Sequence, residues 1–287
     1  MCLAVAALTP EDALAWGPGV HLALGNSVLA KLCCLPPLVA GLLARHGDAF
    51  RYGCLSADIF IGKGTEFNPE HSHNWVTGLK LLNTADDART QAYAYGYLCH
   101  LAADVVAHNY YVPNEMWAMH AGSKISHVYV EAQADRRFRA ERETAFDLFR
   151  KPNRDADGTL LTAMRKRRLP FLVKKQIVMG SLKLTGRKTW GESLRLADRL
   201  LPWHQNRIRL DDMFALSENL VFEFLSDPNR SAALTFDPIG SRNLRRVRQL
   251  HLDGETPVDD APLFVVHRDI ASLPAPAPQD RADAAMG

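Results

Sequence analysis

The sequence predicts an all-α protein, a bundle of many helices. Three observations carry that expectation. Apolar residues recur at helical spacing, as in Leu98, Leu101, Val105 and Val106, or Met213, Phe214, Val221 and Phe224. Polar side chains recur at steps of four, above all in "HLAADVVAH", where His100, Asp104 and His108 fall on one stripe of a helix. Strand signals are confined to one short candidate near the C-terminus, "APLFVVH".

Taken in chain order, the first segment, "MCLAVAALTPEDALA" (1–15), is short, apolar and ends in Ala13-Leu14-Ala15, an A-x-A pattern like a signal-peptidase site. It lacks a positive n-region, and Glu11 and Asp12 lie near the cut, so it reads equally as an ordinary N-terminal helix. His21 to Cys34 follows as a helix. "LCCLPPLVAGLLA" is broken by Pro36 and Pro37 and reads as core. The next strong helix starts at Thr84-Ala-Asp-Asp87, a capping Thr followed three residues later by an acid, and runs to Pro113, where the missing N–H stops it. His127 to Phe149 and Leu210 to Leu225 are further helices. A boundary falls near Lys151 to Gly158, dividing 16–150 from a helical region 151–268. The Pro/Ala-rich end, 269–287, reads as disordered.

A chain of 287 residues, 47% hydrophobic and 23% charged, can bury a large core. A net charge of +2 does not by itself argue for nucleic acid or membrane. No run reaches the roughly 18 to 20 apolar residues that span a bilayer. The charge is uneven: from Arg150 to Lys188 there are twelve basic residues against Asp155 and Asp157. The five cysteines show no zinc-ribbon spacing and read as buried free thiols.

Four segments carry chemistry. The His100/Asp104/His108 stripe presents two imidazoles and a carboxylate to one object. "SHVYVEAQAD" repeats the step with His127 and Glu131, which alone is also the pattern of a surface pair. "LSADIFIGKG" sets Asp58 in an apolar stretch, where an unpaired carboxylate is costly to bury. Its Gly62 and Gly64 fit a turn better than a phosphate loop. "HSHNW" follows with His71 and His73. Finally, "AWGPGVH" places His21 five residues after Trp16, and cleavage after Ala15 would leave Trp16 with a free amine.

These pieces, in this order, resemble the zinc-dependent phospholipase C family and its relatives, the single-strand-specific zinc nucleases. The resemblance covers Trp16 to Glu131 and rests on short motifs that are specific as a set. It implies a phospholipase C/nuclease-like helical bundle around a cluster of about two to three zinc ions (Zn2+), with 151–268 as a helical extension. Carried over, it puts one zinc on Asp58, His73, His100 and a bridging Asp104. A second falls on His108, His127 and Glu131, and a third on the amine and carbonyl of Trp16 with His21 and Asp104. His73 is preferred to His71 because "SHNW" is closest to the family's Ser-His-aromatic setting. Asp58 is the residue implied to orient or deprotonate the attacking water. One departure stands out: the family has a longer step, with a proline, between the bridging Asp and the next His, whereas Asp104 and His108 are four apart.

The activity implied is metal-activated hydrolysis of a phospholipid phosphodiester. The stretch "MRKRRLPFLVKKQIVMGSLKLTGRK", within which 165–188 interleaves cations with apolar residues, fits contact with an anionic membrane surface or a solvated basic face. The same metals would also serve a nuclease acting on single-stranded nucleic acid, with Tyr110, Tyr111 or Trp117 exposed to stack on bases. A non-catalytic, zinc-stabilised protein is the third reading. Cleavage after Ala15 would make the protein exported, periplasmic or secreted; without it, cytoplasmic.

Overall fold

Two helices cross at glycines, and that crossing sets the geometry of everything around it. In the computed structural model, which describes residues 16–60, 71–119, 124–185, 207–258 and 261–278, α3 (Gly47–Ser56) lies against α5 (Ala88–Val106). A Cβ on Gly53 would come within 2.1 Å of the Tyr93 carbonyl, and one on Gly96 within 2.0 Å of the Phe50 carbonyl. Only hydrogen fits at either position, so the two backbones touch.

Around this pair the described residues form an all-α structure without strands. The order is α1 (Pro18–Ala30), α2 (Pro37–Arg45), α3, α4 (Trp75–Asn83), α5, α6 (Val112–Ala118), α7 (Lys124–Asp135), α8 (Arg139–Arg150), α9 (Arg154–Ala163), α10 (Arg168–Thr185), α11 (Arg207–Ser226), α12 (Ser241–Leu252) and the short α13 (Arg268–Ala271). α5 is the spine: from Gly96 to Val106 every residue is buried, and α3, α4 and α11 pack around it. Among the described residues no helix is long and apolar enough to cross a membrane.

Several boundaries differ from the sequence expectation, each for a local reason. Thr84 is not an N-cap; it closes α4, its N–H bonding back to Lys80 and its hydroxyl to the same carbonyl. Asp87 caps α5 instead, its carboxylate accepting from the Thr90 N–H at 2.9 Å and hydroxyl at 2.7 Å. The stretch from His127 to Phe149 is two helices, broken at Arg136–Phe138, where Phe138 leaves helical geometry (φ −112°, ψ 45°). "APLFVVH" is not a strand. The Asn114 side-chain amide takes the place of a neighbouring strand there, giving to the Phe264 carbonyl and accepting from its N–H, both at 2.9 Å.

Pro113 does not stop α5. The chain widens into a π turn at Ala107–Tyr111 and continues into α6, with Pro113 in its first turn. Proline cannot donate to the Asn109 carbonyl four residues back, so that acceptor needs another partner. The Asn243 side-chain amide supplies it at 2.8 Å. Asn109 in turn donates to the carbonyls of Val105 (2.9 Å) and Asp237 (2.8 Å). The first turn of α12 and the segment before it thus clasp the π turn.

The basic stretch is divided. Lys175 turns inward, its ammonium giving to Asp157 and to the Tyr52 hydroxyl, each at 2.8 Å, while Tyr52 donates to Asp157. This pins α9 and α10 to α3. Among the cysteines, Cys54 and Cys99 are buried thiols, but Cys33 is exposed and Cys34 half-buried. α13 buries Ile270, and Leu273 packs against the core. Residues 1–15, Gly62 and Gly64, 186–188 and 279–287, each named in an expectation above, lie outside the described residues.

Candidate functional site

The glycine crossing brings the Cys54 carbonyl of α3 to 2.9 Å from Nδ1 of His100 on α5. A carbonyl only accepts, so Nδ1 carries the proton and Nε2 of the neutral ring presents a lone pair. What Nε2 faces is telling: Nε2 of His73 at 3.0 Å, Oδ2 of Asp104 at 3.3 Å and Oδ1 of Asp58 at 3.7 Å. His73 Nε2 is itself 3.2 Å from Asp58 and 3.3 Å from Asp104, with its Nδ1 beside the Ser72 hydroxyl at 2.9 Å. Acceptors and lone pairs converge on one point in a dry interior, and a cation is the species that satisfies such a donor set.

A second group adjoins the first. His21, from α1, stacks on His100 at 3.7 Å between centroids and brings Nε2 to 3.3 Å from Asp104 Oδ1. Asp104 therefore offers one oxygen to each group. A third lies where the π turn meets α7: His108 packs edge-on to His127 (5.6 Å), whose Nε2 is 2.8 Å from Glu131. The ligand atoms within each trio, His21/His100/Asp104, Asp58/His73/His100 and His108/His127/Glu131, lie within 4.8 Å of one another, and every member is buried. Each trio could hold a metal ion.

Burial, against the pull of Asp104 and Asp58, lowers the pKa of His21, which keeps its imidazole neutral and able to ligate. Burial pushes His100 the same way, but Asp104 and Asp58 outweigh it and raise its pKa. His71 is buried too, its pKa lowered by burial, yet it stands outside all three groups; His73 is the histidine brought to them. Trp16 is fully buried, stacked on Tyr111 (4.8 Å) with its indole N–H giving to Ser217 at 3.3 Å.

The aromatics expected as stacking platforms for bases are not exposed. Tyr111 lies under Trp16, Tyr110 packs edge-on against Phe236, and Trp117 stacks on His251. All three bury their rings in the core, Tyr110 and Tyr111 from the inward-facing π turn and Trp117 from α6.

Sequence reasoning missed the residues that hold these groups in place. Gly240, in the left-handed region (φ 62°), lies so close to the π turn that a Cβ would meet the His108 carbonyl at 2.2 Å. Gly240→Ala should therefore strain the backbone and push on His108. We expect a loss of about 2 to 3 kcal/mol in unfolding free energy, read by urea titration, together with lower zinc content. Unchanged stability and metal would refute the clasp.

Asp135 continues the His127/Glu131 step, a signal visible in "SHVYVEAQAD". Its Oδ1 accepts from the N–H groups of Gly19 (2.7 Å) and Val20 (3.2 Å), so the helix bearing Glu131 also anchors the start of the helix bearing His21. Burial raises its carboxyl to about 6, against Arg142 and the two N–H donors, which pull it down. A folded value above the unfolded 3.8 means that the fold holds the proton more tightly. That contribution is complete below the unfolded value and is lost as pH rises through about 6. Relative to Asp135→Asn, which keeps the acceptor without the charge, wild type should lose about 3 kcal/mol of stability between about pH 4 and 7. Denaturation of both proteins across that range checks this; a difference independent of pH contradicts it.

The comparisons with known proteins bear on the same half of the chain. No curated protein and no solved structure matches it. The sequence profile of the family described as zinc dependent phospholipase C matches residues 20–177, more than half of the chain and a span that holds every His, Asp and Glu of the three groups. With an all-α fold and buried imidazole–carboxylate groups fit for zinc inside that span, the chain belongs to the zinc-dependent phospholipase C family.

Proposed function

We propose that this chain is a phospholipase C-type phosphodiesterase that cleaves the glycerol–phosphate bond of a phospholipid. The observation that carries the reading is Asp104, fully buried and facing both His21 and the His73/His100 pair, in a domain of this family. Asp58, His73, His100 and Asp104 would hold one zinc, and His108, His127 and Glu131 a second. His21 and Asp104 would hold a third with the backbone of Trp16, whose amine is free only if the chain is cut after Ala15, the event that would accompany export. Bound there, zinc supplies Lewis-acid polarisation of phosphoryl oxygen and a lowered pKa for water.

The protein's own groups do the rest. Asp58, buried but slightly less so than Asp104 and His100, is the carboxylate of its group that we assign to the attacking water. It orients the attacking water and takes its proton as the oxygen attacks phosphorus in line with the leaving glycerol oxygen, which leaves protonated from solvent. Cys54 and Ser72 hold the two rings behind it.

Asp58→Asn tests the assignment. Turnover of a soluble phosphocholine ester should fall by roughly a hundredfold or more, with most of the zinc retained by the remaining ligands. Activity within a few-fold of wild type would remove Asp58 from the mechanism.

A further inference from the structure

α10 has two faces with opposite characters. The inner one buries Phe171 against Phe60 (5.3 Å between centroids) and Lys175 against Asp157 and Tyr52. The outer one leaves Leu169, Leu172, Val173 and Ile177 exposed, at 77, 40, 60 and 52%. With Gln176 and Gly180 they form one stripe at helical spacing. Large apolar side chains that share a face on a secured helix are not ordinary surface. The flanks are cationic: Arg165, Lys166, Arg167 and Arg168 are all exposed at its start, and the stretch 165–185 contains no acid.

We propose that this face of α10 is a docking surface for an anionic phospholipid bilayer, with the stripe entering the headgroup boundary and the basic cluster binding lipid phosphates. The occupant follows from the chemistry. An apolar stripe bordered by exposed cations matches a surface that is negative outside and apolar within. A protein partner would need acids placed opposite each cation, and nucleic acid offers nothing to bury leucine, valine and isoleucine. The position also suits the site. Phe60, on which α10 rests through Phe171, is two residues from Asp58, so a bilayer bound here is separated by α10 alone from the turn carrying the proposed base. In naming the substrate's source, the inference rests on the phospholipase reading above; as a binding surface, it does not.

The test uses the full chain and sedimentation with vesicles, either pure phosphatidylcholine or equimolar phosphatidylcholine and phosphatidylserine. The variant is Leu169→Gln, Val173→Gln and Ile177→Gln combined, all exposed positions outside the metal groups. Wild type should bind the anionic vesicles, more weakly as salt rises. The variant should lose roughly tenfold or more of that binding, with its Tm and its turnover of a soluble phosphocholine ester unchanged. Equal binding by variant and wild type overturns the proposal. So does failure of wild type to bind anionic vesicles, self-association that the variant abolishes, or stripe-dependent binding to single-stranded DNA instead. If wild type binds through the stripe yet hydrolyses no phosphodiester, the docking surface stands and the phospholipase reading falls.

Discussion

Asparagine at position 104 is expected to reduce turnover of a soluble phosphodiester by about a thousandfold or more, and to lower zinc content with it. Oδ1 of Asp104 faces His21 and Oδ2 faces both His73 and His100, each at 3.3 Å. No other carboxylate among the described residues belongs to both groups; Asp58 serves only the His73/His100 side. An amide of nearly the same shape removes the charge and turns an N–H₂ toward rings that need to offer lone pairs to a cation. Because the residue is fully buried, water cannot substitute for the lost oxygen. Asp104→Glu, which keeps the charge but displaces it, should fall between asparagine and wild type. Asp104→Asn with normal metal content and turnover would exclude a shared role.

Removing zinc with a chelator at neutral pH should lower Tm by roughly 10 °C, with recovery when zinc is restored. Without a cation, the site keeps two carboxylates and three imidazoles in van der Waals contact inside the core, and at most one proton fits between Nε2 of His73 and Nε2 of His100, 3.0 Å apart. A ligand present at about a thousand times its Kd stabilises by about 4 kcal/mol. For a domain of this size, each kcal/mol is worth about 2 to 4 °C. Acid should act like the chelator: Asp104 and Asp58 raise the pKa of His100, so it takes a proton in competition with metal as pH falls. Differential scanning calorimetry of the two forms decides the matter, and identical transitions would mean that the groups do not hold the fold's metal.

How far the molecule could be read from its sequence depends on the range of each interaction. The step of four in "HLAADVVAH" is a property of a single helix, so it places His100 and Asp104 on one buried face without knowledge of anything else. The same holds for His127 and Glu131 on α7. Ends of helices were less legible, because Thr84 and Asp87 carry equal capping chemistry and only the packing of α4 decides which is used. Pro113 misled because its effect depends on a residue far along the chain: the Asn109 carbonyl it leaves without a donor is taken by Asn243, 134 positions away. That contact also gives the C-terminal half a role, as the clasp on the turn that carries His108. The glycine crossing was equally invisible, since nothing local marks Gly53 and Gly96 as facing each other's carbonyls.

The central claim is that the buried imidazole and carboxylate groups hold zinc, and elemental analysis of the purified full-length protein tests it most directly. The account predicts about two or more zinc ions per chain, falling when Asp104 or His127 is replaced. Protein that is folded, active or not, and carries no stoichiometric metal would contradict it.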